Sequence, residues 1–170
     1  MKYYTEELLR GINSADESVR EKANRELSQN LRNYALYYET IKNCFSKKFI
    51  SIFEKNDEFH DSFIDEIKYV AKKRTIIINT SYTNVSFKLS FENVSKVSFN
   101  MCLEDMFWST LCWQYCEFEL QSDKKMKFNL LCEVGNELEF VYEKLRIEMV
   151  DKSGNLGKNR CALLDKIFNR

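Results

Sequence analysis

The chain has 170 residues with 26 basic and 26 acidic side chains, a size that suits one domain. Hydrophobic residues make up 44% and charged residues 31%, so a core can be buried while the surface stays polar. Residues 1–55 carry 10 basic against 8 acidic residues. With no basic half or tail, charge gives no argument for nucleic acid or for an anionic membrane surface.

Aromatics are frequent, with 13 Phe and 9 Tyr, and each buried ring removes a large apolar area from water. There is no proline and only four glycines, Gly11, Gly135, Gly154 and Gly157, so no glycine-rich phosphate loop can be built. Turns must come from Asn, Asp and Ser. The first residues lack the apolar run of a secretory leader. No stretch approaches the length of a membrane span. Six cysteines in a chain read as unexported are expected as thiols, and the expected compartment is the cytoplasm.

In chain order, Tyr3 to Arg10 reads as a short helix ending near Gly11. Ser14-Ala15-Asp16-Glu17 offers a capping box, with Ser14 as the cap and Glu17 reaching back. Apolar residues then recur every three or four positions: Val19, Ala23, Leu27, Leu31, Tyr34, Tyr38, Ile41, Phe45, Phe49 and Ile52. One helix of that length would run roughly 60 Å at about 1.5 Å per residue, too long for a small domain. Breaks are therefore expected near Gln29-Asn30 and between Asn43 and Lys47.

The period changes at Asn56-Asp57-Glu58, and alternation takes over. Phe63 to Val70 reads as a strand, with a helix as the alternative. Ala71-Lys72-Lys73 is a hairpin turn, and Arg74 to Thr80 is a β-branched strand. Val85, Phe87, Leu89 and Phe91 alternate with polar residues, and Val94, Val97 and Phe99 suggest a further strand. Met101 to Thr110 reads as a loop or short helix. Leu111 to Gln121 is a strand with Trp113, Tyr115 and Glu117 on one face, and Met126 to Cys132 is the next. Leu138 to Val150 forms the last strand, where the apolar parity switches between Tyr142 and Leu145 and so predicts a bulge. Arg160 to Phe168 reads as a short closing helix.

The expected fold is therefore α+β: N-terminal helices (1–55) packed on a mainly antiparallel sheet of six or seven strands (59–150), and a short C-terminal helix (158–168), all in one domain. No internal repeat is visible in the residues.

Phe59-His60-Asp61-Ser62, Phe91-Glu92-Asn93-Val94, Trp113-Gln114-Tyr115-Cys116-Glu117 and Leu145-Arg146-Ile147 together give residues 59 to about 149 a resemblance to an uncharacterised bacterial family, domain-of-unknown-function family 4085. The resemblance implies the order of the strands and no activity. The layout is also similar to small immunity proteins of bacterial toxin systems, an analogy of fold alone.

His60 is the only histidine. With Asp61 beside it and Asp57 and Glu58 just before, it is a candidate general base or binding residue. The alternative is that His60 and Asp61 order the helix-to-strand junction by satisfying backbone N–H groups. One histidine cannot supply a multi-histidine metal site. Cys112 and Cys116 stand on a strand, not a zinc knuckle, so no metal and no cofactor is expected. Trp113, Tyr115 and Glu117 form a candidate binding face, since Trp and Tyr are enriched at interface hot spots. Glu117 and Glu119 could do paired-carboxylate chemistry, against the plainer reading of a solvent face. The leading expectation is a non-enzymatic module that binds another protein, immunity-like, with no membrane or nucleic-acid partner. The alternative is a small hydrolase using His60 with Asp61 or Glu117.

Overall fold

The computed structural model describes residues 1–82, 84–100, 111–122, 124–132 and 135–151. The C-terminal helix expected at 160–168 and the segment 101–110 lie outside the described residues.

The helices come first: α1 (Glu6–Ile12), α2 (Glu17–Ile41) and α3 (Lys47–Lys55). α1 starts at Thr5, whose side chain accepts from the Leu8 N–H, and it runs through Gly11. A Cβ on Gly11 would stand 2.8 Å from the Ala23 Cβ, so the glycine lets α1 lie close against α2. The cap of α2 is Asp16, not Ser14: the Asp16 carboxylate accepts from the N–H groups of Ser18 and Val19, while the Ser14 hydroxyl accepts from Asp16 N. An aspartate offers two acceptor oxygens at the positive end of the helix, which favours it as the cap.

α2 continues unbroken past Gln29-Asn30, contrary to expectation. The side chains that could have stopped it are engaged elsewhere: Asn30 donates to the Tyr3 carbonyl, and Gln29 bonds Asn33 and Arg32 along the helix. The second expected break is present. A 3-10 turn over Lys42–Cys44 separates α2 from α3, which Ser46 caps.

Eight strands follow, one more than the upper expectation: β1 (Ser62–Val70), β2 (Thr75–Tyr82), β3 (Val85–Glu92), β4 (Ser95–Asn100), β5 (Cys112–Ser122), β6 (Lys125–Cys132), β7 (Glu137–Tyr142) and β8 (Lys144–Asp151). The extra strand arises because 138–150 divides at Glu143, where the parity switch lies. β7 pairs with β6 and β4, and β8 turns away to pair with β3. All pairs are antiparallel, in the order β4-β7-β6-β5-β1-β2-β3-β8.

The sheet is strongly wrapped. Strands β3 and β6 are four positions apart in that order, which is roughly 19 Å in a flat sheet. Yet the rings of Phe91 on β3 and Phe128 on β6 lie 4.9 Å apart. β3 passes into β4 and β7 into β8 with only a kink, and the two long bent strands pair along both halves. Asn93 and Lys96, both at positive φ, make the kink on one side.

Two three-stranded meanders result, β1-β2-β3/β4 and β5-β6-β7/β8. β6 begins and ends 50 residues after β2. Ile76 and Ile78 face the core where Met126 and Phe128 do. The seam between meanders at β1 and β5 is short, with only Ser62↔Trp113 and Phe63↔Cys112 paired. Beyond it the edge of β5 would be open, and α2 covers it. The Tyr34 and Tyr37 hydroxyls accept from the N–H groups of Phe118 and Leu120, standing in for a missing strand. Tyr38, Phe49, Phe53 and Phe59 pack inward beside Phe118 and Trp113, so helices and sheet share one aromatic core.

Candidate functional site

The chain enters β1 through an unusual turn. Asp57, Glu58 and Phe59 all have positive φ (50°, 54° and 65°), and Asp61 follows at 61°. None is glycine. L-residues visit the left-handed region singly, at roughly 1 to 2 kcal/mol each, so three in succession must be held by their surroundings. They are: Phe59 N–H donates to Asn56 O at 2.9 Å, His60 N–H to Asp57 O at 2.8 Å, and Asp61 N–H to Trp113 O at 2.8 Å. The Phe59 ring is fully buried against Phe53, Phe87 and Trp113 and anchors the turn. With Phe59 inward, Glu58 and His60 are presented to a cleft of about 510 Å³.

That cleft lies between the turn, α2 and β5. Its walls include Tyr4, Tyr34 and Tyr115, with Arg32, Glu58 and His60 among the polar groups. Tyr4 and Tyr115 stack at 4.6 Å, and the His60 ring stands edge-on to Tyr115 at 5.0 Å. His60 Nδ1 is 3.2 Å from Asp61 Oδ2, and Asp61 Oδ1 accepts from Gln114. Glu58 and Arg32 also line an adjoining lobe of about 480 Å³ with Leu36, Tyr38, Glu39 and Glu54. Burial pushes the Glu58 carboxyl above its ordinary range; Asp57 and Glu54 add to this and His60 opposes it.

Of the residues singled out from sequence, His60, Asp61 and Tyr115 come together at this cleft. Trp113 does not. A bulge at Gln114 reverses the facing of β5, so Trp113 points into the core at 0% exposure while Tyr115 and Glu117 take the other face. The same bulge puts Cys112 on the face opposite Cys116. Burial holds the Cys116 thiol well above its ordinary range, which removes it as a nucleophile.

Glu117 is fully buried and forms no solvent face with Glu119. Its carboxylate accepts three backbone N–H groups, from Lys2 at 2.7 Å, Tyr3 at 2.6 Å and Tyr4 at 2.8 Å. It ties the N-terminal residues across β5 and so sets Tyr4 in the cleft wall. Glu119 instead accepts from Asn129. The sequence offered one sign of this role: an acid between Cys116 and Phe118 in a strand apolar on both faces. It offered none for Tyr4, Arg32 or Glu58 as parts of one site, because their meeting depends on the left-handed turn. Among the described residues no three His, Cys, Asp or Glu side chains gather as a metal would require, and no helix is long and apolar enough to cross a membrane.

No protein-family model matches this chain, and no curated protein matches it either.

Proposed function

We propose that this chain is a non-enzymatic protein-binding module, a distant member of domain-of-unknown-function family 4085, that takes its partner at the cleft over residues 57–61 as an immunity protein takes a toxin. The observation that carries this reading is the left-handed turn. Backbone strain held in place by the surroundings is characteristic of functional sites, and here it opens a cleft instead of sealing one. The rim suits a protein. Leu36 and Leu31 on α2 are exposed beside Arg32 and Tyr115, a mixture of apolar and amphipathic side chains typical of interface centres. Free Cys44, Cys116 and Cys132 fit a cytoplasmic location.

The test is affinity capture from the native cytoplasm with the full chain and with Ala35→Trp, which fills the cleft. The reading expects a stoichiometric partner held by the first and lost by the second at equal thermal stability. Equal capture by both sinks it.

One observation favours a second reading. His60 and Asp61 have the spacing of a base and its orienting carboxylate in an open cleft. A small hydrolase would lose its turnover in His60→Ala and retain it in Ala23→Ser. Glu117 is not open to that chemistry, since it is fully buried and its oxygens accept three N-terminal backbone N–H groups.

A further inference from the structure

Glu58 and Arg32 are the charged side chains common to both lobes. Neither forms an ion pair with a described residue. Arg32 is tied to the Gln29 side chain at 3.0 Å. The remaining acids of the second lobe, Glu39 and Glu54, are already neutralised by Lys42 at 3.1 and 2.7 Å. Glu58 is therefore a half-buried carboxylate without a counter-ion, beside a wall of aromatic rings. A half-buried carboxylate left unmatched is costly, and it can accept from a multivalent donor.

Which cation fits follows from the walls. An ammonium is a compact, strongly hydrated charge, whereas a guanidinium is planar, sheds water more readily, stacks on aromatic faces and carries five donors. We infer that the cleft receives the guanidinium of an arginine side chain presented by a protein partner, seated against Tyr115, with Glu58 as its counter-ion. This rests on the binding-module reading. Arg32 opposes the incoming charge and sets a limit on affinity for any isolated cation.

The experiment uses the full chain and the ring signals of His60, the only histidine, as an unambiguous NMR reporter inside the cleft. It is titrated with acetyl-Gly-Arg-Gly-amide and with the citrulline peptide of the same shape and no charge. The expected result is a saturable shift with the arginine peptide and at least tenfold weaker binding of the citrulline peptide. Glu58→Gln should weaken the arginine peptide by a similar factor, and Arg32→Gln should tighten it. Equal response to the two peptides overturns the assignment. So does the reverse pattern, with Arg32→Gln abolishing and Glu58→Gln improving binding, which would mark an anion site. A partner lost by Ala35→Trp but held undiminished by Glu58→Gln would leave the module reading standing and remove the arginine. A peptide bound as expected by a chain that retains no protein would remove the module reading and leave the guanidinium site.

Discussion

Glu117 and Glu58 are both carboxylates withdrawn from water near Tyr4, and they are treated in opposite ways. Glu117 accepts three N–H bonds and lies at 0% exposure. Glu58, on a strained turn, has no partner among the described residues and borders two lobes of open space. A satisfied buried acid is scaffold; an unsatisfied one at a cleft is a place for something else. The contrast separates what holds this molecule together from what it offers.

The largest effect is expected on the satisfied side. Glu117→Ala strips three donors of their acceptor and should cost about 3 kcal/mol, read by urea unfolding, with Tyr3 and Tyr4 amides losing protection in hydrogen exchange. A cost under about 1 kcal/mol would show that residues 1–4 are not held by Glu117. Next, Tyr34→Phe removes the hydroxyl that accepts from Phe118 N on the edge of β5 that α2 covers. It should cost about 1 to 2 kcal/mol, since the donor is buried and has no water to turn to.

On the other side the sign reverses. Glu58→Gly relieves one left-handed non-glycine residue and should raise stability by roughly 1 kcal/mol, partly offset by the freer unfolded chain. Loss of stability would mean the turn is not strained. The smallest effect is Glu58→Gln. Burial raises the folded-state pKa of Glu58 above its ordinary 4.5, so between the two values the folded chain binds more protons than the unfolded one. Stability from this group therefore falls as pH rises through that window. The variant should match the parent below pH 4.5 and be the more stable of the two at neutral pH, in melts compared across pH.

Much of the fold was legible because it depends on short-range patterns. Alternation at Phe87, Leu89 and Phe91 places β3 correctly, and the change of period at Asn56 to Glu58 marks where helices give way to strands. The parity switch before Leu145 marks a real break, though it divides two strands instead of bulging one. Features set by distant partners were not legible. The bulge at Gln114 has no glycine to announce it, and it sends Trp113 inward and Tyr115 outward. The left-handed turn has none either, because Phe59 and the Trp113 carbonyl impose it from outside. Asp16 displaced Ser14 as a cap through a choice among adjacent good caps that spacing alone does not make. The two meanders share backbone spacing but few identities, since Ile76 and Met126 satisfy the same inward position equally well. A repeat written in burial is invisible to residue-by-residue comparison.

The paired bent strands that join the two meanders also govern how the chain must fold. Each meander is assembled from neighbours in sequence, but Glu92 meets Lys144 and Ser62 meets Trp113 only after loops of roughly fifty residues have closed. Those contacts carry a high entropic cost before they yield any stabilisation, so they should form late and set the rate. The helical region cannot finish ahead of them, because Tyr34 and Tyr37 find their donors on β5, beyond the first meander in sequence. A ribosome-bound chain would therefore expose its N-terminal aromatic face until β5 emerges. The cleft between them is in this sense the last part of the molecule to exist.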